Sequence, residues 1–559
     1  MNEKPWFKHY DEGVPYTLMP YPERTLVDVI SDSASQRPKH PALLFQGEAI
    51  SYSELDSLST ALASALIELG VMKGDRVALM LPNTPQIILS FFGIWKAGGI
   101  VVPLNPLYTE RELEYALLES EAETVVVLTP FYEKVKAIQP HTKLRNVIAT
   151  NIKEYLPVLK RILFTFLKEK KDGHRVTLRP GDVWLGDLLY KYTSTPPSDF
   201  KTQPGDPAVL LFSGGTTGTP KAALGTQQSL LISGIQIRTW FKNLLVDWDD
   251  IILMNMPLFH AYGLAGVLAT GLVGHNTFAL IPNPRDLDDM LATIQKVRPA
   301  FLPGVPTLFN ALLNHPKVTS GQIDLTSLKL CISGASSLLA ETKQRFERIT
   351  GGRIVEAYAM TESMLGATVS PVHGAYKPGS IGIPLPDVEI RIVDIENNQE
   401  VLQPEQVGEI LLRAPQIMQG YWNKPEETAR ILRDGWLYTG DIGYQDEDGY
   451  AFIVDRMKDL IKPGGFQVWP REVEEVIAAH PMVAEVCVAG VPDAHYVEAV
   501  KAWVVLHSGQ QISSAELRAY CRENLASYKV PKFVEYCESL PKSSVGKILK
   551  RELIKSNKG

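Results

Sequence analysis

Cysteine is scarce in this chain. Cys331, Cys487, Cys521 and Cys537 are scattered through 559 residues, and none forms a Cys-x-x-Cys pair. That spacing argues against a disulfide framework or a zinc cluster and fits a reducing compartment. Excess basic charge is lacking too: 56 Lys and Arg stand against 63 Asp and Glu, a net charge of −7. Such a balance favours solubility and argues against broad nucleic-acid binding. Met1 to Gly13 has no apolar core of the signal-peptide kind, and the chain shows no internal repeat or low-complexity tract. One run lacks charge altogether. Ile251 to Pro284 contains no Asp, Glu, Lys or Arg, a length that could cross a bilayer. Asn255, Pro257, His260, His275, Asn276 and several glycines interrupt it, so it reads as the buried middle of an α/β domain.

What is present is an ordinary globular mixture, 45% hydrophobic and 21% charged, in a chain too long for one core. Short β-branched runs such as Val77 to Leu81 and Thr124 to Leu128 alternate with helical patterns such as Tyr52 to Leu69 and Glu110 to Glu119. Alternation of this kind predicts parallel sheets covered by helices. The last hundred or so residues read as a small α/β unit. It has helices near Glu472 to His480 and Ser514 to Leu525, and strands near Glu485 to Val491 and Val500 to Leu506. The expected division is a large domain over 1–454, a linker over 455–460 and a small domain over 461–559.

Lys153 to Lys171 stands out, with six basic and two acidic residues in an acidic chain. A helix from Pro157 aligns Leu159, Ile162, Leu163, Phe166 and Leu167 on one side, with Arg161, Thr165 and Lys168 on the other. Basic charge beside a Phe- and Leu-rich face is the pattern of a helix lying in a lipid interface. A helix packed on the domain with solvated cations fits equally, because Val158 and Phe164 fall toward the polar side.

The densest chemical signal is Ser213-Gly214-Gly215-Thr216-Thr217-Gly218-Thr219-Pro220-Lys221, preceded by the strand-like Ala208 to Phe212. Its glycines let backbone N–H groups converge, its hydroxyls add donors, and Lys221 adds a mobile charge, a combination suited to polyphosphate. Pro220 stands where a Walker A loop needs glycine.

With this loop the sequence resembles the adenylate-forming acyl-CoA synthetases, the AMP-dependent synthetases and ligases, over nearly the whole chain, from about Thr25 to Leu553. Further family-like motifs follow in order: Pro257 to Gly263, Tyr358-Ala359-Met360-Thr361-Glu362, Gly408-Glu409-Ile410, Gly420-Tyr421-Trp422, Trp436 to Asp441, Asp455 to Leu460 and Pro541 to Lys547. The resemblance implies an α/β fold with a large N-terminal multi-sheet domain and a small mobile C-terminal α/β domain. It also implies a two-step reaction. A carboxylate attacks the α-phosphate of ATP and expels pyrophosphate; the thiol of CoA then attacks the acyl-adenylate and AMP leaves.

The same resemblance distributes the roles. Lys547 bridges carboxylate and α-phosphate; Glu362, with Thr216, holds Mg²⁺; Asp441 accepts the ribose hydroxyls, and Arg456 contacts ribose or phosphate. Tyr358 stacks on adenine, whose edge is lined by Gly334, Ala335, Glu356 and Ala357, with Met360 and Thr361 beside it. His260 gates the passage between the nucleotide and the acyl pocket. Lys458 is the hinge residue, Lys462 and Gln467 support catalysis, and Gly464, Gly465, Phe466 and Trp469 approach CoA. Taken alone, each has a duller reading: Glu362 as a helix-start acid, Asp441 as a turn residue, Lys547 as a solvated charge and His260 as a core histidine. Departures from the family pattern are Ala222, Ala359 and Gln227, the last standing where many members carry His.

Asn105 to Thr109, Asn283 to Asp286, the Asp455 to Leu460 linker and the basic insertion look like the long-chain fatty acid branch. Phe212 and Leu264 to Leu272 are then candidates to line an acyl channel. Lys462 with Gly465-Phe466-Gln467-Val468 is shared with aryl and hydroxycinnamate CoA ligases, which stay an alternative. A noncatalytic nucleotide-binding scaffold, a bioluminescent oxygenase and a fatty acid–AMP ligase are more distant ones. The expected partners are a long-chain fatty acid, ATP, CoA and no nucleic acid, in the cytoplasm. Contact with the inner membrane face and a homodimer both stay open.

Overall fold

The computed structural model describes residues 4–192, 201–213, 220–334, 338–397, 400–463, 468–493, 497–543 and 548–556. The continuous apolar runs form interior parallel strands, as expected where both faces are covered by helices. Thr124–Leu128 is wholly buried and lies between Arg76–Met80 and Asn146–Thr150, parallel to both. These belong to an eight-stranded sheet that also holds Pro207–Phe212, Ala222–Thr226 and, at one edge, Gly420–Tyr421. A second sheet of nine strands carries Phe301–Gly304, Leu330–Ser333 and Arg353–Tyr358 side by side in parallel.

Local chemistry sets the helix starts. Ser51 with Glu54, Thr109 with Glu112 and Ser513 with Glu516 form reciprocal capping boxes at Tyr52–Glu68, Glu110–Ser120 and Ser514–Asn524. The uncharged run is interior. It divides into the strand Ile251–Met254, a π-helical stretch Tyr262–Ala269, the helical turn Thr270–Val273 and the strand Thr277–Leu280. Among the described residues no helix is long and apolar enough to cross a membrane. Leu264 to Leu272, expected to line an acyl channel, are closed core, with Leu264, Ala265, Val267 and Leu268 fully buried.

A third sheet pairs Trp436–Gln445 with Gly408–Arg413 on one side and Ala451–Arg456 on the other. Beyond it lies a separate three-stranded sheet, Val483–Asp493, Val497–Leu506 and Phe533–Tyr536. Val473, Ile477, Val488, Val504 and Leu517 form its core beneath the helices Pro470–Ala478 and Ser514–Asn524.

The basic insertion is tied down at its base. Glu169, almost fully buried, pairs with Lys153 and accepts from Asn151 Nδ2 at 3.3 Å, while His174 Nδ1 lies 2.9 Å from Thr129 Oγ1. Burial pulls the His174 imidazole from its ordinary 6.5 down to about 4. Between those values the unfolded chain binds a proton that the folded chain does not. The stability this neutral ring contributes is therefore present above about 6.5 and is lost as pH falls toward 4. The full span corresponds to about 3 kcal/mol at most. Urea unfolding at about pH 7 and about pH 4.5 should show a smaller acid loss in His174→Gln than in the parent; equal losses would contradict this reading.

Candidate nucleotide site

The three parallel strands ending at Gly304, Ser333 and Tyr358 finish side by side, and the carboxyl ends of such strands are the usual place for a ligand in an α/β sheet. Tyr262 braces this edge. Its hydroxyl donates to Ile332 O at 2.8 Å and accepts from Gly304 N at 3.2 Å. The turn that aims this tyrosine requires glycine at 263, where a Cβ would lie 2.2 Å from Pro257 O. Gly334 sits beside the Tyr262 ring, and the buried Ser333 hydroxyl has no partner among the described residues, leaving a polar group at the strand end.

Asp441 is the electrostatic centre. The strand register sets it opposite Arg456, whose Nε lies 2.8 Å from Oδ1, while the Tyr358 hydroxyl donates to Oδ2 at 2.6 Å. The aspartate side chain is 2% exposed against 34% for Arg456. Gly440 precedes it at φ +69°, a left-handed turn that suits glycine. Burial first, then Asp441, push the Tyr358 phenol well above its ordinary pKa, so it stays a donor. A carboxylate offers about four lone-pair sites, so Asp441 can take further hydroxyl donors beside these two partners.

A second cluster joins the carboxylate motif to the phosphate-type loop. Ser213 N donates to Lys221 O at 2.8 Å and holds the two ends of that loop together. Tyr421, opposite Ala223 in the edge pairing, donates its hydroxyl to Glu362 Oε1 at 2.6 Å. Its ring centre lies 5.0 Å from the Lys221 ammonium, which also pairs with Glu427. Burial first and Glu362 second raise the Tyr421 pKa far above the phenol range, fixing it as a donor. Among the described residues no three His, Cys, Asp or Glu gather to hold a metal by themselves. One buried carboxylate, Glu362, still fits Mg²⁺, which takes one or two carboxylates and fills its shell with phosphate oxygens and water.

AMP-binding enzymes match residues 30–422, and the AMP-binding enzyme C-terminal domain matches residues 472–547. The chain belongs to the AMP-binding enzyme family. It is an AMP-forming ligase that activates a carboxylic acid with ATP through an acyl-adenylate. A long-chain-fatty-acid–CoA ligase of Bacillus subtilis (strain 168) is 40% identical over 558 residues, 99% of this chain and 98% of the relative. One from Escherichia coli O157:H7 is 37% identical over 556 residues, again 99% and 98%. An anthranilate CoA ligase solved with anthranoyl-AMP superposes with a TM-score of 0.83 at 26% identity, covering 96% of this chain and 98% of that one.

The AMP-binding enzyme thus brings Tyr358, Glu362, Asp441, Arg456 and Lys221 into two linked clusters. Glu356, whose carboxyl pKa burial raises, accepts from Leu338 N at 3.2 Å, and Ala357, Met360 and Thr361 line the same strand end half-buried. His260, half-buried, accepts from Tyr262 N at 3.2 Å. Lys458 lies in the 3₁₀ turn Met457–Asp459 directly after Arg456. Lys462 and Trp469 flank the start of the small unit, Lys462 exposed and Trp469 capping the helix Pro470–Ala478. Gly214 to Thr219, Ala335, Gly464 to Gln467 and Lys547 lie outside the described residues.

Sequence reasoning missed Tyr421 and Glu427 as site residues. Tyr421 was visible only as a member of an ordered motif, and Glu427 looks like any acid in the first turn of the helix Pro425–Ile431. Tyr421→Phe removes the donor to Glu362 and keeps the ring. A hydrogen bond to a charged group contributes about 1.5–3 kcal/mol. The Mg²⁺ concentration for half-maximal pyrophosphate release should rise about tenfold, with ATP KM nearly unchanged. Tyr421→Leu, which also removes the ring beneath Lys221, should raise ATP KM as well. Unaltered Mg²⁺ dependence in the Phe variant would contradict the role given to the hydroxyl.

Proposed function

We propose that this AMP-binding enzyme converts a long-chain fatty acid, ATP and CoA into acyl-CoA, AMP and pyrophosphate. The observation that carries the reading is the nearly end-to-end likeness to ligases named for a long-chain acid. The two clusters supply what adenylate formation needs. Phosphoryl chemistry of this kind depends on positioning and charge neutralisation. Asp441 and Tyr358 hold ribose and adenine, Arg456 balances Asp441, and Lys221 faces the departing polyphosphate once it releases Glu427. Glu362 would hold Mg²⁺, which neutralises charge on the phosphates when bound. In the first step a carboxylate oxygen forms a bond to the α-phosphorus as the bond to pyrophosphate breaks; Lys547 is the cation assigned to that approach. In the second, the CoA sulfur bonds to the acyl carbon and the carbon–oxygen bond to AMP breaks.

For this exchange the linker at 455–460 is assigned as the hinge, with Lys458 turning. The loop Lys462 to Trp469, including Gly464, Gly465, Phe466 and Gln467, then faces CoA. Asp455 supports that assignment: it accepts from Arg471 N at 2.8 Å, and Arg471 Nη1 reaches Ile453 O at 2.8 Å. The two bonds join the linker to the first helix of the small unit. His260 stands as the gate toward the acyl tail. Each buried methylene is worth about 0.8 kcal/mol, so a long tail would have to displace closed core near Leu264 to Leu272 and still bind well.

We place the enzyme in the cytoplasm, at the inner face of the membrane, where a long-chain acid partitions. Free thiols at all four cysteines agree with a reducing compartment. A homodimer remains the competing use of the surface considered below. An aryl-acid ligase is the second reading, supported by the fold shared with the anthranilate enzyme. Pyrophosphate release measured across acids from acetate to stearate, with cinnamates and anthranilate added, decides between them. The expected maximum is at long saturated or monounsaturated acids; a maximum at an aromatic acid would overturn the assignment.

A further inference from the structure

The helix Val158–Leu167 has no buried residue. Six of its side chains, Val158, Leu159, Ile162, Leu163, Phe166 and Leu167, are exposed large hydrophobics, with Phe166 83% exposed. At about 100° per residue these six fill one continuous half of the helix, Val158 at its edge. The other half holds the contacts with the protein. The Phe164 ring meets His174 edge-on at 5.2 Å, and the adjacent Thr165 is half-buried. Phe164 and Thr165 are therefore the inward pair, and Lys160 Nζ reaches Gln46 O at 2.7 Å from the boundary between the two halves. Amphipathicity is inverted relative to a helix packed on its own core: the apolar side faces out.

The exposure is enforced rather than accidental. Before the helix, Asn151 and Glu154 form a reciprocal cap on the turn Ile152–Tyr155. After it, buried Glu169 holds Lys153 and Asn151, and Arg175 stands 3.8 Å away. Just past the C-terminal end of the helix, Lys168, Lys170 and Lys171 are exposed, and none has an ion-pair partner among the described residues. A solvent-facing apolar patch with unpaired cations at its end marks a binding surface.

We propose that the helix Val158–Leu167 is a lipid-docking surface. It would lie in the headgroup plane of an anionic bilayer with Leu159, Leu163, Phe166 and Leu167 inserted and Lys168, Lys170 and Lys171 on lipid phosphates. Charge selects the bilayer over a second copy of the chain. Two copies meeting through this face would set two unpaired basic clusters against each other, whereas anionic lipid neutralises each. A helix about 15 Å long and about 10 Å across presents a face on the order of 150 Å², far short of the roughly 800 Å² per partner that a stable protein interface needs, while shallow insertion needs no such area. No helix among the described residues can span a membrane, so contact is at the surface. The inference deepens the membrane-face reading above and rests on it only for the identity of the substrate.

The test is co-sedimentation of the full chain with vesicles of phosphatidylcholine and phosphatidylglycerol in equal parts, and with phosphatidylcholine alone. The parent should pellet with the anionic vesicles, lose binding at high salt and bind phosphatidylcholine poorly. Leu163→Asp with Phe166→Asp should lower partitioning about tenfold or more. Replacing Lys168, Lys170 and Lys171 by Gln should lower it by a similar factor and remove the salt dependence. Turnover of octanoate, a water-soluble acid, should be unchanged in both variants, which reports folding and the catalytic reading separately from lipid binding. Equal pelleting of parent and variants would overturn the proposal, as would no binding by the parent. A parent dimer that Leu163→Asp with Phe166→Asp dissociates, without vesicle binding, would assign the face to self-association instead.

Discussion

Asp441 carries the constraint on which the nucleotide site depends. Its two oxygens hold Arg456 at 2.8 Å and Tyr358 at 2.6 Å, and almost no water reaches it. A buried carboxylate is tolerated only when paired and hydrogen-bonded. Those two partners come from different sheets: Tyr358 ends a strand of the nine-stranded sheet, and Arg456 ends the strand that precedes the linker. One charge therefore fixes the end of the strand Arg353–Tyr358 relative to Arg456. In the proposed function, the ribose acceptor, the adenine-stacking ring and the root of the hinge are thereby set together.

The second cluster works on the same principle with a weaker grip. Tyr421 connects Glu362 to Lys221 through its hydroxyl and its ring, and Glu427 neutralises Lys221 from the rim. The Lys221–Glu427 pair is partly open to solvent, so its contribution to stability is small and it can exchange one anion for another. That difference in burial fits the proposed chemistry, in which Asp441 keeps its partners through both half-reactions and Lys221 meets polyphosphate and then lets it go.

Much of the architecture could be read from the chain. Thr124–Leu128 carries five apolar or β-branched residues and forms a strand with those bounds, and the small unit's helices and strands lie where their patterns put them. The motif residues Tyr358, Glu362, Asp441 and Arg456 were legible as a set because they recur in order. Their mutual contacts were not, since Asp441 and Tyr358 lie 83 positions apart and meet only through strand register and sheet packing. The contacts of Tyr421 were illegible for the same reason: its partners lie on two other segments. The orientation of Val158–Leu167 was ambiguous in the pattern, because periodicity defines a face without saying which way it points. The ring contact of Phe164 with His174 decided it.

The most direct test of the central claim is AMP binding to Asp441→Asn, measured by titration calorimetry with circular dichroism as a check on the fold. The substitution keeps the shape and removes the charge that holds Arg456 and that is proposed to accept the ribose hydroxyls. Hydrogen bonds to a charged group are worth about 1.5–3 kcal/mol, so affinity should fall by about 10- to 100-fold while the secondary structure is retained. Binding within about twofold of the parent would contradict the account.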